Sequence, residues 1–336
     1  MCARYLSDQN RVVLLLESGT YAVASGNGFW PGLVQSHEIV ENENVIQSRY
    51  LGQVNRQVGR FDAGPIDVEG NITLLPQEWR LLGFALGSIF TVSGTAQSDN
   101  YLHSMSVVNT GQRGNAFTSG AFNPFISFTV EESRTGPTAN QLFKRTIKGC
   151  NVNSYSLNIN QSEPVSVEVG FIAQTGSWFS GASTSVTAGS NRPYLWSDAV
   201  LQVPGATTQE AVKNLTLTIN NNFESTHYIN GSRVIQVPYP VNLDLSVSAT
   251  QDLDSLSMGS LYDTFFKGGS LFNSVLDINN TVETGSHRLI VTMSGCKMIE
   301  MTVPAQIGGV NEVNYTFVPG SISAIAYDRV PLYTLF

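Results

Sequence analysis

The stretch Lys148–Ala173, KGCNVNSYSLNINQSEPVSVEVGFIA, decides the fold class. Apolar and polar side chains alternate along its two arms, Tyr155–Asn160 and Val165–Phe171, and a short polar turn separates the arms. A period of two is typical of strands with one buried face, so this stretch predicts a β-hairpin. The sequence therefore predicts a mainly β protein. The same period returns in Val212–Ile219, Val241–Ala249 and Arg288–Met293.

A second stretch, SGCKMIEMTVPAQ at 294–306, repeats the pattern of the first. Aligning Cys150 with Cys296 gives a shift of 146 residues, and the apolar positions then stay in phase through both strands of the hairpin. A slip of one residue would move every side chain to the other face, so the shared phase is informative. Further upstream, ENENVIQSRYLG (41–52) resembles NNNFESTHYING (220–231) in the same order.

This agreement predicts two copies of one β-plus-helix unit, at 1–180 and 190–336. The first copy is longer between its helix and its late hairpin, which predicts a loop over about 91–121 that the second copy lacks. The Gly- and Ser-rich segment 174–193 is predicted to be a linker or a long surface loop between the copies.

Helical signals are few, and the sequence predicts one short helix in each half. PQEWRLLGFALGS (76–88) predicts a helix that starts at Pro76 and ends at Gly87. QDLDSLSMGSLYDTFFKGG (251–269) predicts a second helix with Asp252 or Asp254 as its cap and Gly268–Gly269 as its end.

Charge is scarce in this chain. Charged residues make up 13% of the sequence, against about 25% in typical soluble domains. Such a composition favours either a surface hidden in an assembly or one covered by neutral polar residues. The net charge of -8 argues against ordinary binding of nucleic acid through phosphate contacts. The longest apolar runs are too short or too broken to cross a membrane, so we expect a soluble protein made in a cytoplasm.

No motif in the sequence predicts catalysis, a metal site or a cofactor. Cysteines at positions 2, 150 and 296 lack a CxxC pair, and histidines at positions 37, 103, 227 and 287 lack ligand spacing. We expect Cys150 and Cys296 to be reduced, buried side chains at the start of equivalent strands and not partners in a disulfide. SGNGFWPG (25–32) is predicted to be a loop with a buried Trp30. The sequence gives no reason to expect an enzyme.

Three stretches carry a resemblance to a known family. They are Arg49–Ser88 (RYLGQVNRQVGRFDAGPIDVEGNITLLPQEWRLLGFALGS), Ile147–Ala173 (IKGCNVNSYSLNINQSEPVSVEVGFIA) and Val212–Ser225 (VKNLTLTINNNFES). A strand meander with an acidic, Asn-rich turn, a short helix and a late Gly-Cys hairpin together resemble the tail tube proteins of tailed phages.

The resemblance implies a β-sandwich or split-barrel unit flanked by one helix. Six such units form a ring in that family, and stacked rings form a hollow tube that conducts the genome. A chain of two units would need three copies per ring, with pseudo-sixfold symmetry. Contractile-tail and secretion tubes mostly use single-unit chains, so duplication favours a long, non-contractile tail.

The resemblance also implies partners and a location. The location is the tail tube of the virion. The partners are further copies of the chain, the tail terminator, the tape measure and the distal tail protein, and DNA that passes without specific binding; no membrane is involved. We expect a neutral or acidic lumen, because DNA must slide through it. The candidate lumen-lining carboxylates are Asp67, Glu69, Glu168, Asp244 and Glu312, for which an outer, solvated strand face is the alternative.

Two other classes of protein remain open on the sequence. One is another β-rich virion protein, such as a tail-tip, decoration or capsid-associated protein. The other is a carbohydrate-binding β-sandwich that stacks sugars on exposed tryptophans. Among the candidates, Trp79 lies on the predicted amphipathic helix, so a core position is the stronger interpretation for it. The four tryptophans are Trp30, Trp79, Trp178 and Trp196.

Overall fold

A computed structural model of the chain describes residues 10–17, 21–49, 60–92, 101–108, 126–135, 142–179, 184–187, 189, 191–205, 207–209, 211–253, 259, 261–280, 287–303 and 311–328. Antiparallel strands dominate this structure, which confirms the predicted mainly β class. A 3-10 turn, Trp196–Asp198, links the two halves of the chain.

In the described part of the first half, the helix α1 (Arg80–Leu86) lies among the strands. The strands are β1 (Asn10–Glu17), β2 (Ala24–Phe29), β3 (Gly32–Glu43), β4 (Ile46–Ser48), β5 (Arg60–Asp62), β6 (Ile66–Pro76), β7 (Gly87–Val92), β8 (Tyr101–Val107), β9 (Phe128–Thr135), β10 (Leu142–Asn160), β11 (Ser166–Ala173) and β12 (Thr175–Phe179).

The second half contains a π-helix, Leu261–Lys267, at the corresponding place in the chain. Its strands are β13 (Ala199–Gln202), β14 (Thr208–Gln209), β15 (Val212–Asn220), β16 (Phe223–Glu224), β17 (Tyr239–Pro240), β18 (Asp244–Asp252), β19 (Phe272–Asn280), β20 (His287–Thr302), β21 (Glu312–Val318) and β22 (Ser321–Asp328).

The long strands β10 and β20 organise the main sheets, because each continues from an outer sheet into a central one. The central sheet has the order β3-β6-β11-β10-β15-β18-β21-β20. The outer sheet of the first half has the order β2-β1-β9-β10-β12. The outer sheet of the second half has the order β14-β13-β19-β20-β22-β8-β7.

Seven strand pairings of the first half recur in the second half in the same order. The register also recurs with the shift of 146 residues: Tyr155 lies opposite Val169, and Met301 lies opposite Tyr315. Bulges occur at corresponding places too, one residue before Ser154 in β10 and one before Glu300 in β20. The two halves therefore share their pairing pattern down to single residues.

The Gly-Cys pairs lie at corresponding irregularities of β10 and β20. Cys150 lies opposite Phe128, and Cys296 lies opposite Phe272. The preceding glycines, Gly149 and Gly295, have φ angles of 69° and 61°. This left-handed conformation is one that glycine adopts without steric cost, which explains why glycine precedes cysteine in both stretches.

Each half has a chain of three phenylalanines in its core, running from the helix through the outer sheet to the central sheet. Phe84, Phe128 and Phe171 have successive ring centroids 5.6 and 5.9 Å apart. Phe265, Phe272 and Phe317 have successive centroids 5.2 and 5.3 Å apart. Edge-on and stacked ring pairs at these distances stabilise a core beyond simple area burial. The helix of each half is thus attached to its sandwich in the same way.

The predicted helices exist, but their starts differ from the prediction. α1 ends at Gly87, as predicted, with a φ of 94°. It begins at Arg80 and not at Pro76, because β6 continues to Pro76, which pairs with Gly32. In the second half the helix is a π-helix followed by Gly268–Gly269, and Asp252 ends β18 instead of capping it. Asp254 lies outside the described residues.

Three segments predicted as loops contain strands. Tyr101–Val107, inside the predicted 91–121 loop, is β8; its alternating residues His103 and Met105 are buried. Thr175–Phe179, in the predicted linker, is β12 on the edge of β10. Most of the predicted loop 25–32 belongs to β2 and β3, and Trp30 is only half-buried. Strand pairing overrides loop-like composition in each case. The strand predicted at Val241–Ala249 begins at Asp244.

Candidate assembly surface

The central sheet has one face packed inward and one open face. Val167, Val169 and Phe171 of β11 point into the core, whereas Glu168 between them is exposed. All five predicted lumen-lining carboxylates belong to this sheet and alternate with inward-facing residues, so the structure brings them to the open face. They are Asp67 and Glu69 on β6, Glu168 on β11, Asp244 on β18 and Glu312 on β21.

Neutral polar side chains connect the strands across the open face. Asn71 Nδ2 donates to Glu168 Oε1 at 2.6 Å, and Thr250 Oγ1 donates to Asn314 Oδ1 at 2.7 Å. At one margin, Lys213 Nζ lies 2.6 Å from Asp252 Oδ1 and 2.8 Å from Glu312 Oε1. This lysine is therefore neutralised by two carboxylates.

Asp67 and Asp244 occupy corresponding positions in the two halves. Asn44 Nδ2 donates to Asp67 Oδ2 at 2.6 Å, and Asn222 Nδ2 donates to Asp244 Oδ2 at 2.6 Å. Asp67 has an additional contact, because His227 Nε2 of the second half lies 2.9 Å from its Oδ1. Asp67 therefore takes part in the junction between the halves.

The two halves meet edge to edge in the central sheet. β10 of the first half pairs with β15 of the second half from Ser154 opposite Asn220 to Asn160 opposite Asn214. Asn221 strengthens this seam by donating from Nδ2 to the carbonyl oxygens of Ala85 and Val152, each at 2.8 Å. Buried amide–carbonyl bonds of this kind hold one relative position of two elements.

Two strand edges of the central sheet remain open within the described part of the chain. β3 pairs there with β6 alone, and the Lys297–Thr302 part of β20 pairs there with β21 alone. These edges lie at opposite ends of the eight-strand order. Unpaired strand edges readily accept a further strand.

A second seam joins the halves through the outer sheet. β8, inserted after α1, pairs with β22 of the second half. His103 on β8 is buried, with its Nε2 3.0 Å from Asp328 Oδ1 and its Nδ1 2.9 Å from Thr91 Oγ1. The segment predicted as an extra loop of the first unit thus extends the sheet of the second.

An ionic cluster that no sequence motif predicted lies at one end of the first half's interior. His37 Nε2 lies 3.2 Å from Glu132 Oε1, and Arg134 NH2 lies 2.5 Å from the same oxygen. Burial alone would raise the pKa of Glu132, but hydrogen bonds from His37 and Arg134 outweigh it and lower the pKa to about 2. Nearby, Arg145 NH2 lies 2.7 Å from Glu41 Oε1.

The alignment of the two halves contains a pattern from which this cluster could have been predicted. β9 and β19 correspond, since Phe128 and Phe272 lie opposite the two cysteines. In that alignment Glu132 and Arg134 fall on Leu276 and Ile278, so charge interrupts an otherwise apolar face. Glu78, a second missed acid, is buried beside α1, and burial raises its pKa to about 7 despite the nearby Arg80.

Cys150 and Cys296 are buried free cysteines, as predicted. They lie within long strands and not at strand starts, because β10 and β20 begin well before them. Burial raises the pKa of Cys150 well above its ordinary value and that of Cys296 to about 11, which disfavours the reactive thiolate. Within the described residues, no group of three or more His, Cys, Asp and Glu side chains could hold a metal ion.

Trp79 lies in the core, as predicted, although it immediately precedes α1 instead of lying on it. Its ring centroid is 4.9 Å from that of Tyr194, and the side chain is buried. Trp178 and Trp196 are exposed. Among the described residues, no helix is both long and apolar enough to span a membrane.

Comparisons with known proteins agree with this architecture. A search of curated proteins finds no match to the chain. A family model described as "Phage tail tube protein" matches residues 8–327, which is nearly the whole chain. That family has a structural role in the virion tail, where chains assemble with one another and with other tail proteins. This mainly β chain therefore belongs to the phage tail tube protein family.

Proposed function

We propose that three copies of this chain close into a ring, and that stacked rings form the tube of a long, non-contractile tail through which viral DNA is ejected. One observation carries this proposal. Within the chain, β10 and β15 join the first half to the second half edge to edge. The corresponding edges, β20 of one copy and β3 of the next, are open within the described residues.

The two halves act as two copies of one unit, at 1–180 and 190–336. The recurring order of strand pairings supports this, as do the bulges before Ser154 and Glu300 and the left-handed Gly149 and Gly295. The ring then repeats one kind of junction, once inside each chain and once between chains. Such head-to-tail contacts close when the rotation between successive units divides a full turn. With six units per ring, as the resemblance implies, each chain supplies two.

The register within the chain specifies the register between chains. Val303 corresponds to Leu157, and Ile39 of the next copy corresponds to Leu217, so the two would meet on the inward face. Val303 is 50% exposed in the single chain, and this pairing would cover it. The expected opposed pairs are Glu300–Asn42, Met301–Glu41, Thr302–Val40 and Val303–Ile39.

The open face of the central sheet would line the lumen, because the outer sheets and helices lie on its other side. Asp67, Glu69, Glu168, Asp244 and Glu312 would then present carboxylates to the passing DNA, beside the neutral amides of Asn71 and Asn314. Negative charge prevents the phosphate backbone from adhering to the wall. At the ends of the tube, the axial surfaces of the last rings would meet the tail terminator, the tape measure and the distal tail protein.

Opposed charges test the ring junction. Thr302→Lys combined with Val40→Lys would place two ammonium groups directly opposite each other, which destabilises a strand pair. We expect this protein to fold, as judged by circular dichroism, but to form no rings in negative-stain electron microscopy. Thr302→Glu combined with Val40→Lys is the matched control and should form rings. Rings from the double-lysine protein at the wild-type yield would contradict the proposed junction.

A further inference from the structure

The two halves differ in a small hairpin that projects beside the central sheet. In the first half β4 pairs with β5, and Ile46 lies opposite Asp62. In the second half β16 pairs with β17, and Glu224 lies opposite Tyr239. The hairpins correspond residue by residue, since Asn44 and Asn222 make the same hydrogen bond to Asp67 and Asp244.

Corresponding apolar side chains of these hairpins are covered in one half and exposed in the other. Phe223 of the second half is 8% exposed, whereas its counterpart Val45 is 47% exposed. Pro238 is buried, whereas its counterpart Phe61 is 63% exposed. Neighbouring apolar side chains that are exposed together are available for contact with a partner. In the described part of the chain, the first half's hairpin lacks the cover that the second half's hairpin has.

The connection between the two strands of the second half's hairpin lies on the first half. Arg233 Nε donates to the Gly64 carbonyl at 2.8 Å, and its guanidinium also contacts Glu43. Ile66 N donates to the Arg233 carbonyl at 2.8 Å. The pair formed by His227 and Asp67 belongs to the same contact between the connection and the first half. These groups form a contact surface, called the seat below, at the base of the β4–β5 hairpin, where β3 ends and β6 begins.

The second half has the counterpart of this seat, and it is open. Val241 and Asp244 correspond to Gly64 and Asp67, and both are exposed, Val241 by 54%. Arg49, which is exposed beside β4, corresponds to His227. Arg49 and Asp244 therefore occupy the positions that correspond to His227 and Asp67, and those two side chains already form a pair inside the chain. Their charges are complementary, as a contact between copies requires.

We propose that the β4–β5 hairpin of each copy clasps the second half of the preceding copy in the ring. In this clasp the Arg49 guanidinium contacts the Asp244 carboxylate, and Val45 and Phe61 pack against the surface that includes Val241. The clasp rests on the proposed ring, because it needs the neighbour that the β20–β3 junction supplies. In the clasp, Asp244 lies at the seam between two copies, just as Asp67 lies at the seam between the two halves of one chain.

Disulfide trapping tests the clasp directly in the full-length chain. Arg49→Cys and Asp244→Cys are introduced together in a Cys2→Ser background, and rings are oxidised under mild conditions. We expect covalent dimers and trimers on a non-reducing gel, and neither single-cysteine variant should give them. The matched control combines His227→Cys with Asp67→Cys, whose side chains pair inside one chain. It should give a cross-linked monomer and no covalent oligomer.

The outcomes separate the clasp from the ring. Rings that form normally without an Arg49–Asp244 cross-link, while the control pair does cross-link, would overturn the clasp and leave the ring in place. Unmodified protein that never forms rings, even with other tail components, would overturn both.

Charge exchange gives a second readout: Arg49→Asp or Asp244→Arg alone should lower ring yield by roughly tenfold, and the two together should restore it. A double variant as poor as the single variants would also overturn the clasp.

Discussion

The two halves of the chain pair their strands alike but fill one end of the interior differently. In the first half His37, Glu132 and Arg134 form an ionic cluster beside β3. At the corresponding positions the second half has Leu215, Leu276 and Ile278, all buried. The same strand register therefore accepts either an ionic or an apolar filling, provided that every buried charge has a partner.

The ionic and the apolar cluster lie next to strands that differ in pairing, and this explains why the clusters differ. Among the residues that the structure describes, β3 is an open edge of the single chain, whereas the corresponding β15 is covered by β10. Inward-pointing charged side chains on an open edge discourage uncontrolled pairing with other strands. His37 and Glu41 are such side chains, and their counterparts in the covered strand, Leu215 and Ile219, are apolar. The shared strand register therefore specifies the fold of each half. The charged side chains of β3 protect an edge that is open before assembly.

The largest predicted difference concerns the two glycines before the buried cysteines. Gly149→Ala would place a methyl group 2.7 Å from Tyr21 Cζ in a left-handed conformation, whereas Gly295→Ala would meet no atom within 4 Å. We expect Gly149→Ala to lower the free energy of unfolding by about 3 kcal/mol, from strain and overpacking. Gly295→Ala should lower it by about 1 kcal/mol, from strain alone. Urea denaturation of the unassembled chain measures both.

The control for this pair is a set of asparagine substitutions, because asparagine tolerates the left-handed conformation better than alanine. Gly295→Asn should be close to neutral, and Gly149→Asn should remain destabilising because the crowding persists. Equal costs for the two alanine variants would show that the halves do not differ in packing at this position.

A smaller effect is predicted for the ionic cluster. The folded-state pKa of Glu132 is lowered to about 2, so its ionisation stabilises the fold above the ordinary glutamate value of about 4.3. This stabilisation should be lost as pH falls from there towards 2. At neutral pH we expect wild type to be about 2 kcal/mol more stable than Glu132→Gln. This difference should shrink as the pH falls through this range. Chemical denaturation at several pH values measures it.

The matched control is Glu38→Gln, which changes an exposed glutamate on the same edge strand. Its stability difference from wild type should stay small at every pH. A difference between wild type and Glu132→Gln that does not change with pH would contradict the role assigned to His37 and Arg134.

Period-two alternation predicted the strands well because the two faces of the central sheet differ so clearly. The hairpin after Cys150, the shift of 146 residues and the helix end at Gly87 all follow from local pattern. β8 and β12 escaped prediction because their strand state depends on partners distant in sequence, β22 and β10. Long-range pairing outweighs a loop-like composition rich in Ser and Gly.

The candidate surface was predictable in part. Alternation placed the five carboxylates on one face, and the structure brings them together there, although their exposure to a lumen stays a prediction. The open edges of β3 and β20 could not be read from sequence, since an edge is defined by the absence of a neighbour. The ionic cluster was hidden for a related reason: its charges occupy inward positions, where alternation predicts apolar residues.

The most direct test of the central claim is a cryo-electron microscopy reconstruction of rings or tubes assembled from the full-length chain. We expect three chains around the axis with six near-equivalent units, β20 of each copy beside β3 of the next, and Val303 opposite Ile39. The open face of the central sheet should line the lumen. Rings whose neighbours meet through other edges, or a strand order in which β3 and β20 stay unpaired, would contradict it.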